Sequence, residues 1–485
     1  MCDVKFYLMK HILILASFIA FSCSAQSQDT WTLQRCIDFA FQHNIQIKQS
    51  QLSYDIAKIN SLQAVGNALP NINASGSHGY NWGQTIDPFT NTFATERIQS
   101  NSFGLSSGVV LFNGFQTLNT IRQSKIDVES QKHLIEKMQN DIALSVANAY
   151  LNILFNQEFV SISISNLSGT QNQVNRVQTL LDVGQIPEGD LSEVMAQLAA
   201  DEANLVSSEN SLNLAYLSLT QMLQMSSDEG DNFQISTPSD DDLGDVSLIK
   251  DPSTAVSAAL NNFPEIRSSE TNVLSAERGL IIAKGGISPT ISASYSYGTG
   301  YSGANQEGIG DPILSPTQIG IVDPTGEAVW SIFPQVSYSD FQTKAFGEQL
   351  SDNVNQSLFF SLRVPIFNGF STYSNIERAK VNLLSAEYNL ESSRQQLEQD
   401  VERAFADARA ALGNYTASQK SVEASQKAFD YSKIRYEQGV INAVDYQNAR
   451  IRLDNAKADL IRNKYDYVFK VKVIDFYLGK AITLR

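Results

Sequence analysis

One short phrase occurs twice in this chain, and its spacing constrains the fold more than any other sequence feature. Residues 109–115 read VVLFNGF, and residues 363–370 read RVPIFNGF. At a constant offset of 255 in residue number, matched identities recur without a gap from the pair Phe112/Phe367 to the pair Leu223/Leu478. Each inserted residue would rotate an α-helix by about 100°. The constant offset, called the long offset below, therefore predicts one helical frame that is used twice.

A second, shorter offset relates the segments upstream of the phrase. With the numbering shifted by 219, called the short offset, matches run from Ile47/Ile266 to Ser75/Ser294. The two offsets differ by 36, which predicts an insertion in the Gly- and Pro-rich stretch at about 302–353, where a longer loop absorbs it at low cost. An internal duplication follows. The predicted organisation is a first repeat over 26–225, a linker over 226–252 and a second repeat over 253–480.

The N-terminal residues have the pattern of a secretory signal. Lys5 and Lys10 precede the apolar run HILILASFIAF and the small-residue stretch SCSAQSQ. This run is too short for a spanning helix, which needs about 20 apolar residues. We predict a signal peptide over 1–25 with cleavage after Ala25; cleavage before Cys23, which would give a lipoprotein, is the second option. No later stretch is apolar for long enough to span, so an exported chain without a membrane helix is expected.

Alternating apolar and small polar residues lead into both copies of the phrase. This period of two predicts strands over 98–112 and over the stretch that ends at Ile366, and further strands are predicted to start at Pro70 and Pro289. Each repeat then holds one hairpin. A half-buried sheet in a soluble domain has the same pattern, but export and terminal aromatic residues favour lipid-facing strands. Because about eight strands are needed to close a barrel, several chains would have to contribute.

After each phrase the periodicity becomes helical. Residues 115–182 and 370–437 lack proline and predict helices of about 100 Å. Each ends at a glycine turn, DVGQIPEGD or EQGVINAVD, and shorter helices return over about 188–225 and 441–479. The returning helices are only about half as long as the long helices. Helices over about 31–67 and 253–284, stacked end to end with the returning helices, would match the full length of the long helices. A solvated coiled-coil rod and a hollow helical barrel both fit this pattern, and the sequence leaves both open.

Motifs that carry chemistry do not occur. The formal net charge of −16 is unfavourable for nucleic acid. None of the four histidines has a second histidine or a cysteine at i+3 or i+4, and neither a P-loop nor a Gly-x-Gly-x-x-Gly turn occurs. We therefore expect no metal, no cofactor and no enzymatic activity.

These features together resemble the TolC-like outer-membrane efflux protein family. The resemblance covers about residues 29–480, and its most specific motifs are the FNG joints and the VGQIPEGDL and QGVINAVDY turns. It implies a mixed α and β protomer with four transmembrane strands and very long antiparallel helices. It also implies a homotrimer whose 12-stranded β-barrel continues into a 12-helix α-barrel.

The resemblance implies a function as well. Such a trimer is the passive exit duct of a tripartite efflux or type I secretion system, located in the outer membrane and extending into the periplasm. Its partners would be a periplasmic adaptor and an inner-membrane transporter. A structural coiled-coil protein or adhesin without a conducting pore is the alternative. The transported substrate is not predicted.

Residue roles carry over from the family only at the turns and the joints. Two carboxylates, Asp190 and Asp445, match the acidic residues that narrow the periplasmic aperture, although a charge at a helix N-terminus explains them equally well. A further family Asp is matched by Asn448. A tyrosine of the family matches Tyr436. The position of the arginine to which that tyrosine usually bonds is occupied by Ile441 in this chain, so the bond that would lock the aperture is unassigned. The implied adaptor-docking turns contain Gly184, Ile186, Gly439 and Ile441, and the strand-to-helix joints contain Asn113, Gly114, Asn368 and Gly369.

Overall fold

The computed structural model describes residues 30–480 and 482, except 88, 92, 95, 96, 227, 229, 231, 232 and 238–250. The predicted signal peptide and most of the predicted linker over 226–252 lie outside the described residues. The chain divides into two compact units. The first comprises the described parts of residues 1–57, 128–272 and 386–485, and the second comprises those of 58–127 and 273–385.

Helices account for most of the described residues. They are α1 Leu33–His43, α2 Ile45–Gly66, α3 Gln116–Asp182, α4 Glu188–Met222, α5 Pro252–Asn262, α6 Pro264–Gly285, α7 Phe346–Asp352, α8 Ser371–Glu437 and α9 Ala443–Tyr477. The two long helices, α3 and α8, begin one residue after the predicted positions and end where predicted. Within the described part of the chain, none of the helices combines the length and apolar composition needed to cross a membrane.

The helices form two series of equal lengths. Both α1 and α5 have 11 residues, and both α2 and α6 have 22. Both α3 and α8 have 67, and both α4 and α9 have 35. The first two helices of the second series begin one short offset after their counterparts, and the last two begin one long offset after theirs. The element boundaries thus follow the two sequence offsets.

The helices predicted over 31–67 and 253–284 are each interrupted, which corrects that prediction. Asn44 and Phe263 have extended backbones, with ψ of 129° and 133°. Phe263 precedes Pro264, and a residue before proline is disfavoured in the helical region. Asn44 uses its side chain to accept from Gln46 N at 2.9 Å and to donate to Met222 O at 3.2 Å. Both breaks therefore have a local cause.

The second unit contains the principal sheet. The strands are β1 Asn71–Asn81, β2 Thr85–Ile86, β3 Phe93–Ala94, β4 Ile98–Phe112, β5 Thr290–Ser302, β6 Gln306–Ile309, β7 Ile313–Ser315, β8 Gln318–Val322, β9 Glu327–Trp330, β10 Gln335–Ser337, β11 Asp340–Thr343 and β12 Asn355–Arg363. Four long strands pair antiparallel in the order β1-β4-β5-β12. Both predicted hairpins, β1/β4 and β5/β12, are confirmed. Among the described residues, the outer edges of β1 and β12 have no pairing strand.

Strand β12 ends earlier than the alternation predicts. The structure leaves Val364 and Ile366 outside the strand, with 53% and 94% of their surfaces exposed. Pro365 stands between them and has no N–H to donate to a strand ladder. In this edge strand nothing compensates for that loss, and regular pairing ends at Arg363.

Residues 306–343, expected to be a loop, instead carry six short strands; we call this segment the arm. It consists of three nested antiparallel ladders, β6/β11, β7/β10 and β8/β9. The innermost ladder flanks an Asp-Pro-Thr-Gly turn over 323–326, a sequence that favours a hairpin. At the base of the arm, the buried Gln349 accepts from Ser302 N and donates to Ser302 O, both at 3.0 Å. The arm is therefore ordered β-structure rather than an irregular loop.

The first unit holds two apolar clusters. One joins α1, α3, α4 and α9 around Tyr150, whose hydroxyl donates to Ser236 O at 2.6 Å. The other joins α5 and α8 around Phe263 and Phe405. Cys36 lies in the first cluster with no exposed surface, and burial raises the pKa of its thiol to about 12. This thiol is consequently unreactive at neutral pH.

Candidate aperture turns and strand-to-helix joints

The two long helices end in the same type of turn. At the end of α3, Gly184 has φ +73°, its N–H donates to Leu181 O at 2.8 Å, and Gln185 N donates to Leu180 O at 2.9 Å. At the end of α8, Gly439 has φ +76°, and the equivalent bonds measure 3.0 and 2.8 Å. These are the paired bonds of a Schellman motif, which favours glycine at the left-handed position. Both turns lie in the first unit.

Each turn presents apolar side chains to solvent. Val183 is 64% exposed and Val440 is 60% exposed, while Ile186 and Ile441 are half-buried beside them. The sequence assignment of these turns named the glycines and isoleucines but not the two valines. Each turn thus combines a rigid backbone with a small exposed apolar patch.

Three of the four predicted aperture residues, Asp190, Asp445 and Asn448, lie in the first or second turn of a returning helix, and the fourth, Tyr436, lies at the end of α8. Asp190 is half-buried in the first turn of α4, and Asp445 is exposed in the first turn of α9. Asn442 caps α9 by accepting from Asp445 N at 2.8 Å. Asn448 is exposed one turn further on. In one chain, both carboxylates are positioned to interact favourably with the helix dipole.

Tyr436 has an aromatic partner in place of the arginine that the family pattern would supply. Its ring stacks on that of Tyr446, with centroids 5.0 Å apart and planes inclined by 15°. Burial raises the pKa of its hydroxyl, and the nearby charge of Asp190 acts in the same direction. The stack holds the end of α8 against the start of α9.

A buried ionic network lies further along the same helices, and sequence reasoning missed it. Arg450 of α9 is 10% exposed and donates to Thr170 Oγ1 and to the carbonyl of Asn166, both on α3. Its guanidinium also lies 3.6 Å from Asp201 on α4 and 3.7 Å from Asp454 on its own helix. Thr170 in turn donates to Asp201. One arginine thereby connects three helices.

The sequence contains a signal for this network, which is a seven-residue spacing along α4. This spacing places Asp201 in line with Val194, Ser208 and Ala215, and all four residues are buried. A polar residue in such a seam usually has a specific partner. Similarly, Arg450 lies between the buried residues Tyr446 and Leu453 on the seam of α9. Which seam residues meet, however, depends on the packing of three helices.

The network predicts an unusual pH dependence for Asp454. Burial raises the pKa of its carboxyl, and the charge of Asp201 adds to this effect, while Arg450, Lys457 and a hydrogen bond from Asn166 act in the opposite direction. A folded-state pKa above the unfolded value means that ionised Asp454 disfavours the folded state. This cost is present above the folded pKa and absent below the unfolded value, near about 3.9.

We therefore expect Asp454→Asn to raise the free energy of unfolding at pH 7, with the gain disappearing as the pH falls toward about 4. Denaturant titrations followed by circular dichroism at several pH values measure it. Asp445→Asn is the matched control on the same helix: loss of its favourable helix-dipole interaction should lower stability slightly. If Asp454→Asn is less stable than the parent at pH 7, attraction to Arg450 outweighs burial and the argument is wrong.

In the second unit, the repeated Asn-Gly-Phe phrase connects a strand to a helix. Gly114 and Phe115 have φ of +65° and +62°, and Gln116 N donates to Asn113 O at 3.3 Å. Positive φ at both central residues with this bond is the pattern of a type I′ turn. Phe112 and Phe115 contact edge-to-face at 5.5 Å, which offsets the cost of a left-handed phenylalanine. The chain thereby passes from β4 into α3 within a single turn.

The second phrase repeats this geometry. Gly369 and Phe370 both have φ of +62°, and Phe367 and Phe370 contact at 5.6 Å. Asn368 hydrogen bonds to Thr372 as Asn113 does to Thr117. The two joints differ in their surroundings. A Cβ on Gly114 would lie 2.6 Å from Ser288 Cβ, whereas a Cβ on Gly369 would have no atom within 4 Å.

Comparisons with known proteins agree on one family. A family model described as "Outer membrane efflux protein" matches residues 36–223 and 255–480. The curated outer membrane efflux protein BepC of Brucella suis biovar 1 (strain 1330) is 23% identical over 265 residues, which are 55% of this chain. The match covers 54% of BepC, so it spans about half the length of that relative.

Solved structures share the fold at low identity. CusC, crystallised in work on folding and transmembrane channel formation, has a TM-score of 0.75 at 16% identity, with 93% of both chains covered. The outer membrane protein VceC of Vibrio cholerae has a TM-score of 0.72 at 14% identity, with 93% of this chain and 96% of VceC covered.

Among the described residues, no group of three or more potential ligands is arranged to hold a metal ion.

Proposed function

Because the chain belongs to the outer membrane efflux protein family, we propose that it is a passive exit duct of a tripartite efflux or type I secretion system. In this role it receives substrates from a periplasmic adaptor and an inner-membrane transporter and releases them outside the cell. The observation that carries the proposal is the direct connection of a four-stranded, open-edged sheet to two very long helices, α3 and α8, through the repeated joint.

Two repeats of one unit make up the proposed duct protomer, with boundaries at 26–225 and 253–480. The equal helix lengths and the element starts at the short and long offsets support this organisation. The arm is the part of the second repeat without an equivalent of similar length in the first, and we place it outside the cell, at the extracellular end of the strands.

A homotrimer completes the duct. Four strands are too few to enclose a lumen, and the sheet of one chain is open at both edges. Three chains would supply 12 strands, an even number typical of outer-membrane barrels. Exposed apolar side chains on both long strands of the second hairpin, including Tyr295, Leu358 and Phe360, suit a lipid-facing surface.

The turns at the ends of α3 and α8 are the proposed periplasmic end. Asp190 and Asp445 would form rings of three carboxylates around the aperture, which attract cations and repel anions. The glycines and the exposed Val183 and Val440 would give the turns a surface for the periplasmic adaptor. The Tyr436–Tyr446 stack is the proposed substitute for the family's lock.

Conductance across a planar lipid bilayer tests the proposal. The purified, detergent-solubilised protein should insert and pass ions in discrete steps, whereas a structural rod or adhesin should give no current. Absence of steps from protein shown to be trimeric by mass would contradict the duct.

The double variant Asp190→Ala/Asp445→Ala tests the aperture. We expect a higher single-channel conductance and weaker block by divalent cations, because six carboxylates per trimer are removed from a narrow passage. Asp228→Ala, which changes a carboxylate outside the turns, is the control and should leave both quantities unchanged. Unaltered conductance and block in the double variant would show that these carboxylates lie outside the narrowest part of the pathway.

A further inference from the structure

The two faces of the principal sheet differ in composition. Apolar side chains lie on one face of the four long strands, where Leu358 pairs with Tyr295. The opposite face carries mainly small polar residues, and on it the hydroxyl oxygens of Ser296 and Ser357 lie 2.6 Å apart. Because the apolar face is proposed above to meet lipid, the small polar face is the one that would line a lumen.

Arg363, the last residue of β12, is the only lysine, arginine, aspartate or glutamate on the four long strands. It pairs with Thr290, and the alternation of the strand places it on the same face as Ser357 and Ser361. Its side chain is exposed and makes no hydrogen bond or ion pair to the described residues. An ionisable residue in a membrane-spanning segment is costly and usually marks a pathway for ions or substrate.

The two repeats differ at this position. At the long offset, Arg363 corresponds to Gly108 and Phe359 corresponds to Gly104, while the residue midway between them is a serine in both strands. Phe359 lies on the small polar face with Arg363, and 62% of its surface is exposed. Strand β12 therefore presents an uncovered arginine and an uncovered phenylalanine where β4 presents two glycines.

We propose that Arg363 forms a ring of three guanidinium groups, called the arginine ring, in the lumen of the duct at the periplasmic end of its strands, and that this ring binds anionic cargo. The inference rests on the homotrimer proposed above and adds a binding site to its lumen. The cargo that fits is an extended organic anion. Its carboxylate or phosphate group would bind the guanidinium, and its apolar part would contact Phe359, about 13 Å away along the strand.

The dimensions of the barrel allow three arginines to act together. A closed sheet of 12 strands, about 4.8 Å apart and tilted by about 40°, places its backbone about 12 Å from the axis. An arginine side chain extends inward from that radius, and the Debye length at physiological ionic strength is about 8 Å. The electrostatic potential of all three charges therefore extends to the axis.

Ion selectivity tests the arginine ring. Trimers in a planar bilayer are measured under a KCl gradient at low ionic strength, in the Asp190→Ala/Asp445→Ala background, so that the proposed aperture carboxylates do not contribute. We expect Arg363→Ser to lower the anion-to-cation permeability ratio by about twofold or more, because a lumen lined by one sign of charge concentrates counter-ions. Arg363→Lys retains the charge and should retain the ratio. An unchanged ratio in Arg363→Ser would overturn the proposal.

The first repeat allows the opposite change. Gly108→Arg in the same background would place a second arginine on the same face, giving six per trimer. A Cβ on Gly108 would lie 3.5 Å from Asn71 Oδ1, an ordinary contact, and the φ of Gly108 lies outside the left-handed region. The permeability ratio should rise by about the factor by which Arg363→Ser lowers it. If it does not rise in protein of trimer mass, this face does not line the conducting pathway and the arginine ring is excluded.

Chemical modification tests the position of residue 363. In Arg363→Cys, the cationic reagent 2-(trimethylammonio)ethyl methanethiosulfonate should react with the thiol and restore the parent permeability ratio, while the anionic 2-sulfonatoethyl reagent should lower the ratio further. Leu362→Cys is the matched control, because its side chain lies on the apolar face and should not react in the assembled protein. Cys36 is buried, which raises the pKa of its thiol to about 12, so it does not compete. Reaction of Leu362→Cys alone would reverse the assignment of the faces.

Block of the current tests the class of cargo. In the same background, biphenyl-4,4′-dicarboxylate, an extended aromatic dianion, should block the current of the parent, and Arg363→Ser should remove that block. Phe359→Ser should weaken the block by this dianion but leave the effect of inorganic sulfate unchanged, since sulfate has no apolar part. Equal block in the parent and in Arg363→Ser would refute an anion site at the arginine ring.

These outcomes separate the arginine ring from the duct. A parent trimer that conducts, but whose permeability ratio does not depend on residue 363, would refute the arginine ring and leave the proposed function standing. A parent protein that passes no current contradicts the proposed function itself.

Discussion

Replacing Arg450 by methionine should lower the free energy of unfolding by about 3–5 kcal/mol. Methionine retains much of the aliphatic volume but removes the guanidinium. Asp201, whose side chain is 9% exposed, and Asp454 would then be buried without their cation, and Thr170 and the Asn166 carbonyl would lose a donor. The loss is measured by denaturant unfolding in detergent, followed by circular dichroism.

Arg176 supplies the matched control. It pairs with Glu437 at 3.1 Å, but both side chains are more than a third exposed. Arg176→Met should therefore cost no more than about 1 kcal/mol. Adding Asp201→Asn to Arg450→Met should recover part of the loss, because the uncompensated carboxylate is removed. Equal losses for the two arginine variants would mean that the network contributes no more than a surface ion pair.

Replacing Gly114 by alanine should cost about 2–5 kcal/mol, the second large effect. A left-handed backbone costs an alanine about 1–2 kcal/mol. The new methyl group would also overlap Ser288 and the carbonyl of Gly285, and relief of such overlap costs about 1–3 kcal/mol. Thermal unfolding in a detergent that keeps the chain monomeric measures the change.

Gly369→Ala is the control for that experiment. Its backbone has nearly the same φ, +62°, but no atom lies near the added methyl group in a single chain. It should therefore show the backbone cost alone, and Gly114→Ala should be the more destabilised variant. Equal losses already in the monomer would show that the overlap at Gly114 is relieved at little cost.

Much of the helical frame could be predicted because its signals are local. Glycine at 184 and 439 and the absence of proline between the phrase and these turns define α3 and α8 to within one residue. The pairing of β1 with β4 and of β5 with β12 also follows from alternation and proximity along the chain. In such elements the residue type and its near neighbours in sequence are enough to predict the backbone conformation.

The remaining features depend on residues far apart or on weak patterns. Arg450 meets Thr170 across 280 positions, and no periodicity identifies that pair. The ladders of the arm have three to five residues per strand, which is too short for alternation to stand out from a loop. The break at Asn44 depends on an acceptor, Met222 O, contributed by another helix. The resemblance marked the arginine partner of Tyr436 as missing, but it could not show that Tyr446 stacks on this tyrosine.

The equal lengths of the two helical series determine where this chain can gain or lose residues. One residue added within α3 would turn every later side chain of that helix by about 100° and move it about 1.5 Å along the axis. The side chains of α3 that follow the insertion would then no longer meet their partners on α4 and α9, including those that surround Tyr150, Asp201 and Arg450. A residue added to the arm disturbs only the short ladder that receives it. Changes in length can therefore accumulate in the arm, while the helices retain a fixed number of residues.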